Sequence, residues 1–269
     1  MLVQAAKIAV TLAPDALGCA IVKALATRTR RLPPSDAEQA ALASARRLNY
    51  GAENRHAAWS WGQGPAVILA HGWGGAAAQM APLAVQIASL GFQAIAIDIT
   101  GHGASPGDRT RWEWLIRDVA LAAQTFGPLH AAVGHSAGGL AIMAARALKG
   151  LRAQRYACIC APSHPFPPVR RIQELLNPRP GVIARYQEYL ASQFETDWAT
   201  LRTGISYAGA GSELLLVYDQ KDRFVPHGEG DRIKAVCPEV KLVKTRDFGH
   251  TRILGTPDLA NLVGGFLKA

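Results

Sequence analysis

At 269 residues the chain has room for one large α/β domain with a long insertion, and its 49% apolar and 18% charged residues supply a sizeable core. Its net charge is +9, from 29 Lys+Arg against 20 Asp+Glu, but the arginines stand singly and in pairs, without the long basic run that grips nucleic acid. Four cysteines (Cys19, Cys158, Cys160 and Cys237) form no Cys-x-x-Cys pair and no zinc-like Cys/His spacing, which argues against a metal and for a reducing compartment.

Residues 1–32 are largely apolar from Leu2 to Ala26. Lys7, Pro14, Asp15 and Lys23 interrupt the run, so it is no clean membrane span. Pro14-Asp15 also falls where the apolar core of a secretory signal should be, although Ala16-Leu17-Gly18-Cys19 faintly resembles a cleavage site. The segment reads first as helices docked on the domain. A membrane-surface anchor, with Arg28 to Arg31 reaching lipid headgroups, is the second reading, and a cleaved signal is the third. Ser35-Asp36-Ala37-Glu38 carries helix-cap chemistry, and residues 36–48 read as one helix with Ala41, Leu42, Ala45 and Leu48 on a face. Residues 1–54 are therefore expected to be an N-terminal helical segment packed on the domain.

From residue 55 a strand–helix alternation begins. His56 to Trp61 predicts a strand, and Ala66 to Ala70 a continuous apolar one, as in a sheet covered on both faces. The loop His71-Gly72-Trp73-Gly74-Gly75 follows, then a helix over 77–90 and a strand from Phe92 to Asp98. Thr100 to Gly107 is turn-rich, and 112–126 predicts a helix stopped at Gly127-Pro128. His130 to Val133 predicts a buried strand, Leu140 to Leu148 a helix, and Arg155 to Cys160 another strand, with Cys158 and Cys160 on one face of it. The alternation resumes at Glu213 to Tyr218, with a helix near 228–236, a strand over 240–244 and a last helix from Pro257 to Lys268. Such a pattern gives a doubly wound, mostly parallel sheet with sites at the carboxyl ends of its strands, where His71, Asp98 and Ser136 fall. The core is thus expected over 55–162 and 209–269. Between them, 163–208 holds several prolines and two helices, near 169–176 and 181–194. It reads as a helical lid whose aromatic residues, among them Tyr186, Tyr189 and Phe194, face the mouth above Ser136.

Gly134-His135-Ser136-Ala137-Gly138 sits between a strand and a helix, the context that gives Gly-x-Ser-x-Gly its meaning. The turn exposes the Ser136 hydroxyl and sets the Ala137 N–H at a helix start, where an oxyanion is stabilised. A serine hydroxyl is a poor nucleophile at neutral pH and needs a base. His250, in a loop after the last strand, is the best candidate. Asp222 is its expected carboxylate partner, with Asp219 as the competitor at the strand end. Trp73 is expected to offer a second backbone N–H for an oxyanion. His71 and His102 read as loop-shaping residues, His135 as a packing residue and Asp98 as an organiser of its loop.

Five motifs in this order resemble the α/β-hydrolase family over roughly residues 55 to 269: His71-Gly72-Trp73-Gly74, Asp98-x-x-Gly101-His102-Gly103-x-Ser105, Gly134-x-Ser136-x-Gly138, Asp222-x-x-Val225-Pro226 and Gly249-His250. The order Ser…Asp…His is the one that fold uses. The resemblance implies a serine esterase or lipase-like enzyme of a bacterial branch, with Ser136, Asp222 and His250 catalytic and Trp73 and Ala137 forming the oxyanion hole. It implies neither cofactor nor metal, a small-molecule ester or thioester substrate, and no nucleic-acid partner. The expected location is the cytoplasm, with peripheral membrane association through residues 1–32. An acyltransferase, carbon–carbon hydrolase or cofactor-free peroxidase would keep the same residues, and a ligand-binding signalling protein is a reading of another class. Serine at position 136 argues against haloalkane dehalogenation, where the family uses aspartate, and the bulk of Trp73 is expected to restrict the acyl pocket.

Overall fold

A computed structural model of the chain describes every residue except Met1 and Leu32, so both ends of segment 1–32 lie outside the described residues. Eight strands occur in chain order: β1 (Arg46–Tyr50), β2 (His56–Trp61), β3 (Ala66–Ala70), β4 (Gln93–Ile97), β5 (Leu129–His135), β6 (Ala153–Ile159), β7 (Leu214–Asp219) and β8 (Lys241–Thr245). They form one sheet in the order β1-β2-β4-β3-β5-β6-β7-β8. β2 pairs antiparallel with both β1 and β4, and every pairing beyond is parallel. The predicted doubly wound, mostly parallel sheet is thus the architecture of the chain.

The helices are α1 (Leu2–Leu12), α2 (Asp15–Ala26), α3 (Asp36–Ala43), α4 (Ala77–Ser89), α5 (Trp112–Phe126), α6 (Ala137–Lys149), α7 (Phe166–Leu176), α8 (Pro180–Ser192), α9 (Trp198–Leu201), α10 (Gly228–Val236) and α11 (Pro257–Lys268). They cover both faces of the sheet. Along β3, Ile68 and Ala70 join the apolar layer under α5 and α6, while Val67 and Leu69 join the layer under α4 and α11. Burial on both faces is why this strand is apolar at every position.

The segment 36–48 is not one helix. α3 starts with a full capping box, in which Ser35 accepts from the Glu38 N–H and Glu38 accepts from the Ser35 N–H. It stops at Ala43, and residues 46–50 pair with β2 instead. Gly51, Glu53 and Asn54 take positive φ and turn the chain back. The fully buried Tyr50 then donates its hydroxyl to the Asp98 carbonyl at 3.0 Å. Strand pairing and one buried aromatic override the helical spacing of Ala45 and Leu48.

Cys158 and Cys160 also do not share a face. β6 ends at Ile159, and Cys160 takes φ 49° as the chain leaves the sheet. Cys158 packs in the layer under α6 and Cys160 in the opposite one.

Between β6 and β7 stand α7, α8 and α9. α7 and α8 start earlier than predicted, because Pro167 and Pro180 occupy the first turn, where a missing N–H costs nothing. Two of the aromatic residues expected above Ser136 point elsewhere. Tyr186 is buried and stacks on Tyr189, and Lys23 of α2 stands 4.1 Å over the Tyr189 ring. Both rings therefore serve the seam between α8 and α2. Phe194 packs on Trp112, which packs on Trp73, at ring separations of 5.5 and 5.7 Å.

Candidate active site

Ser136 sits between the last residue of β5 and the first of α6, at φ 52° and ψ −121°. A residue with a Cβ rarely adopts this backbone, and the surroundings must hold it there. They do so through two close approaches. A Cβ on Gly134 would come within 2.5 Å of Gly139 Cα, and one on Gly138 would strike the Ala70 carbonyl. Only glycine lets the strand and helix meet this closely. The Ser136 N–H bonds to Ile159 O at 2.8 Å, which ties the turn to β6.

Ser136, His250 and Asp222 come together. His250 Nε2 lies 3.0 Å from Ser136 Oγ, and His250 Nδ1 lies 2.6 Å from Asp222 Oδ2. The Asp222 carboxyl is buried, which pushes its pKa up. The hydrogen bond and charge of His250, with the N–H groups of Val225 and Phe224, outweigh burial and hold it below the ordinary value. An ionised Asp222 fixes the proton of His250 on Nδ1 and leaves Nε2 free to accept from Ser136.

Asp219 does different work. Its carboxylate accepts from the N–H groups of Gly249, Phe248 and Lys221 and from the Thr245 hydroxyl. It shapes the loop that carries His250 and does not touch the imidazole.

The Trp73 loop is folded against this group. Gly75 N–H bonds to Gly72 O, and Gly74 N–H donates to His102 Nε2 at 3.0 Å. Gly72 lies so near that a Cβ there would be 2.9 Å from the Ser136 Cβ. Neither the Trp73 N–H nor the Ala137 N–H has an acceptor among the described residues. Two such donors beside one serine hydroxyl suit a developing oxyanion.

Three histidines beside the site, His71, His102 and His135, are held neutral. Burial lowers His71 to about 4 and His102 to about 3. His71 donates from Nδ1 to Gly72 O and accepts the Ile99 N–H, so it pins the loop to the end of β4. His135 is lowered to about 3 by burial and by nearby His250, and its Nε2 donates to the His250 carbonyl. Asp98, also buried, accepts from Ala77 N–H, Ala104 N–H and Trp59 Nε1 and so joins two loops beside the site.

Two neighbours of the site escaped sequence reasoning. Cys160 Sγ, an Asp222 oxygen and a His250 ring nitrogen lie within 4.8 Å of one another, the one cluster among the described residues with a donor set that could hold a metal. Burial, then the charge of Asp222, push the Cys160 thiol well above its ordinary value. A metal there would need the thiolate and would take ligands that now bond each other. The position of Cys160 at the carboxyl end of a strand was the available signal. The other neighbour is Phe224, whose ring lies 5.2 Å from that of His250. A cavity of about 240 Å³ lies behind the Trp73 loop, lined by Arg31, Glu38, Trp59, Gly74, Gln79 and Asp98 among others; Ser136 is not part of its wall.

The model of the alpha/beta hydrolase family matches residues 67–245, more than half of the chain. No curated protein matches the sequence. Among solved structures, an esterase from Pyrococcus furiosus superposes with a TM-score of 0.64 at 19% identity, over 89% of this chain and 98% of that one. An epoxide hydrolase from Vigna radiata gives 0.60 at 14% identity, over 84% and 99%. A bacterial membrane phospholipase A gives 0.61 at 18% identity, over 94% and 91%. At such identities these likenesses speak for the fold alone, whereas the family model rests on the sequence itself. The chain belongs to the alpha/beta hydrolase family.

Proposed function

We propose that the chain is a serine hydrolase that cleaves carboxylic esters or thioesters through an acyl-enzyme. The observation that carries this reading is the continuous hydrogen-bonded path from Ser136 Oγ through His250 to the Asp222 carboxylate, at 3.0 and 2.6 Å. In the first half-reaction Ser136 Oγ attacks the carbonyl carbon while His250 Nε2 takes its proton. The tetrahedral oxyanion rests on the N–H groups of Trp73 and Ala137. His250, now an imidazolium stabilised by Asp222, gives its proton to the leaving alkoxide or thiolate, and the acyl group stays on Ser136. In the second half-reaction His250 deprotonates a water, which attacks the acyl carbon. The proton then returns to Ser136 Oγ as the acid leaves.

Helices α7 to α9, within the predicted lid 163–208, serve as the cover, and the choice of acyl group falls to Phe224 beside His250. Four free, buried cysteines support work in a reducing compartment such as the cytoplasm. The esterase neighbour is in keeping with the reading; the epoxide hydrolase shows that the fold also hosts other chemistry.

The test uses p-nitrophenyl esters of increasing chain length and a fluorophosphonate probe. The wild type should turn over at least one ester and label at Ser136, and Ser136→Ala should do neither. Labelling at another serine, or hydrolysis that survives Ser136→Ala, sinks the proposal.

A further inference from the structure

α2 is apolar on both sides. Gly18, Cys19 and Val22 are buried, yet its exposed positions are Ala16, Leu17, Ala20, Ala24 and Leu25, none of them polar. Its charged residues are Asp15 and Lys23, both half-buried; a helix otherwise apolar all round normally lies inside a protein or in lipid, and this one lies on the surface. On α1 the exposed positions are Gln4, Lys7, Ile8, Thr11 and Leu12, so polar side chains stand beside the apolar ones there. Of the seven large apolar side chains exposed among the described residues, Ile8, Leu12, Leu17 and Leu25 belong to this hairpin, with Leu12 77% and Leu17 55% accessible. A fifth, Leu175, lies on α7, against which α1 packs.

The hairpin and the residues after it are rich in cations, of which Arg31 is turned to the carbonyls of Ser105 and Gly107. Residues 1–31 hold Lys7, Lys23, Arg28, Arg30 and Arg31 against one acid, Asp15, which Arg179 already neutralises at 2.8 Å. A shallow cavity of about 230 Å³ opens beside Ala24 and Thr27, and Lys23, Arg109 and Arg111 stand in its wall with Trp114 and Tyr189. Neither Lys23 nor Arg109 meets a carboxylate among the described residues, and Arg111 has only Glu113 at 3.3 Å. The wall also contains the fully buried Thr110, whose hydroxyl has no partner.

We propose that the α1–α2 hairpin docks the protein on the surface of an anionic phospholipid bilayer, with the cavity at Lys23, Arg109 and Arg111 receiving a headgroup phosphate; that the bilayer then supplies the ester for Ser136 rests on the hydrolase reading above. Aliphatic side chains enter the headgroup boundary while basic neighbours meet anionic lipid. Helices of 11 and 12 residues, broken at Pro14, lie in the interface and do not cross it. Among the described residues no helix is long and apolar enough to cross a membrane. The hairpin sits on the helices between β6 and β7: Gly18 packs on Val182, and Lys23 on Tyr189. Docking therefore holds the bilayer beside the helices that flank the site.

The experiment is flotation with phosphatidylcholine vesicles, with and without a quarter phosphatidylglycerol, beside sedimentation velocity and turnover of soluble p-nitrophenyl butyrate. Wild type should float with the anionic vesicles and not with the neutral ones. Leu12→Asp/Leu17→Asp should abolish flotation. Lys23→Gln/Arg111→Gln should weaken it by ~30-fold, about fivefold per charge. Butyrate turnover should be the same in all three proteins. Flotation without any ester turnover would leave docking standing and remove the hydrolase reading. Turnover without flotation would overturn docking alone. A wild-type dimer that Leu12→Asp/Leu17→Asp makes monomeric, without vesicle binding, would assign the face to a second copy and overturn the proposal.

Discussion

His135 donates from Nε2 to the backbone carbonyl of His250 across 2.8 Å, so the residue before Ser136 fixes the loop that carries the imidazole. The two rings lie 4.7 Å apart. His135→Phe keeps the ring volume and removes the donor. A lost hydrogen bond of about 1 kcal/mol, felt as misplacement of His250, predicts a roughly fivefold lower kcat with little change in KM. Steady-state kinetics with a melting curve check this. An unchanged kcat would show that packing alone sets the loop.

Ser136 keeps a backbone that only glycine adopts without strain, at φ 52° and ψ −121°. Alanine at 136 removes the hydroxyl and keeps the strain; glycine removes both. Relief of about 1 kcal/mol predicts that Ser136→Gly melts ~2–4 °C above Ser136→Ala, with both inactive. Equal melting temperatures would mean that the turn stores no strain at this residue.

Asp222 and Asp219 stand three residues apart and should fail differently. Asp222 meets the imidazole at 2.6 Å, whereas Asp219 accepts three loop N–H groups. Asp222→Asn should lower kcat by ~10⁴, as expected when an amide replaces the acid that sets the histidine tautomer. Asp219→Ala should lower the melting temperature, because the N–H groups of Lys221, Phe248 and Gly249 lose their acceptor. The reverse pattern would reassign the acid.

The sheet and the position of Ser136 were legible because the signals are local. Apolar strands such as 66–70, glycines at 134 and 138, and helix formers after Ser136 need only neighbours in sequence. β1 was not legible, since residues 46–50 become a strand only through pairing with residues 56–60. The choice of Asp222 over Asp219 came from the spacing to Val225-Pro226. Its reason is visible only in three dimensions, where Asp219 is already occupied by the 248–249 loop. Cys160 and Phe224 were missed for the same reason. Each reaches His250 across at least 26 residues of chain; Cys160 carries only its place at the carboxyl end of a strand as a mark, and Phe224 carries none.

Four buried histidines predict how stability depends on pH. His71 and His164 are lowered by burial to about 4, and His102 and His135 to about 3, from an unfolded value near 6.5. Below 6.5 the unfolded chain takes protons that the folded chain refuses. Their contribution is therefore complete above 6.5 and is lost as the pH falls toward the folded values. Each site contributes up to ~1.4 kcal/mol per pH unit in that window. The melting temperature should drop by about 10 °C or more between pH 7 and pH 5. His164→Gln should flatten the slope by one proton. A melting temperature constant over this range would refute the neutral assignments.

The last prediction separates the ring that faces substrate from the rings that hold the cover helices. Phe224 is 63% exposed and lies against His250, so its face is open at the mouth of the site. Tyr186 is 2% exposed and stacks inside the seam between α8 and α2. An acyl chain that covers Phe224 gains about 0.8 kcal/mol for each buried methylene, part of it lost to ordering. Phe224→Ala should therefore raise KM several-fold for octanoate esters and little for acetate, with a nearly unchanged kcat on acetate. It removes exposed surface, so the melting temperature should stay within about 2 °C. Tyr186→Ala should do the opposite. A cavity in place of a buried aromatic costs about 3–5 kcal/mol, so stability falls and activity falls alike on acetate, butyrate and octanoate. The three esters, measured beside melting curves for both variants, decide the matter. A chain-length shift in Tyr186→Ala, with none in Phe224→Ala, would return the pocket to α8 and show that the cover helices open before substrate binds.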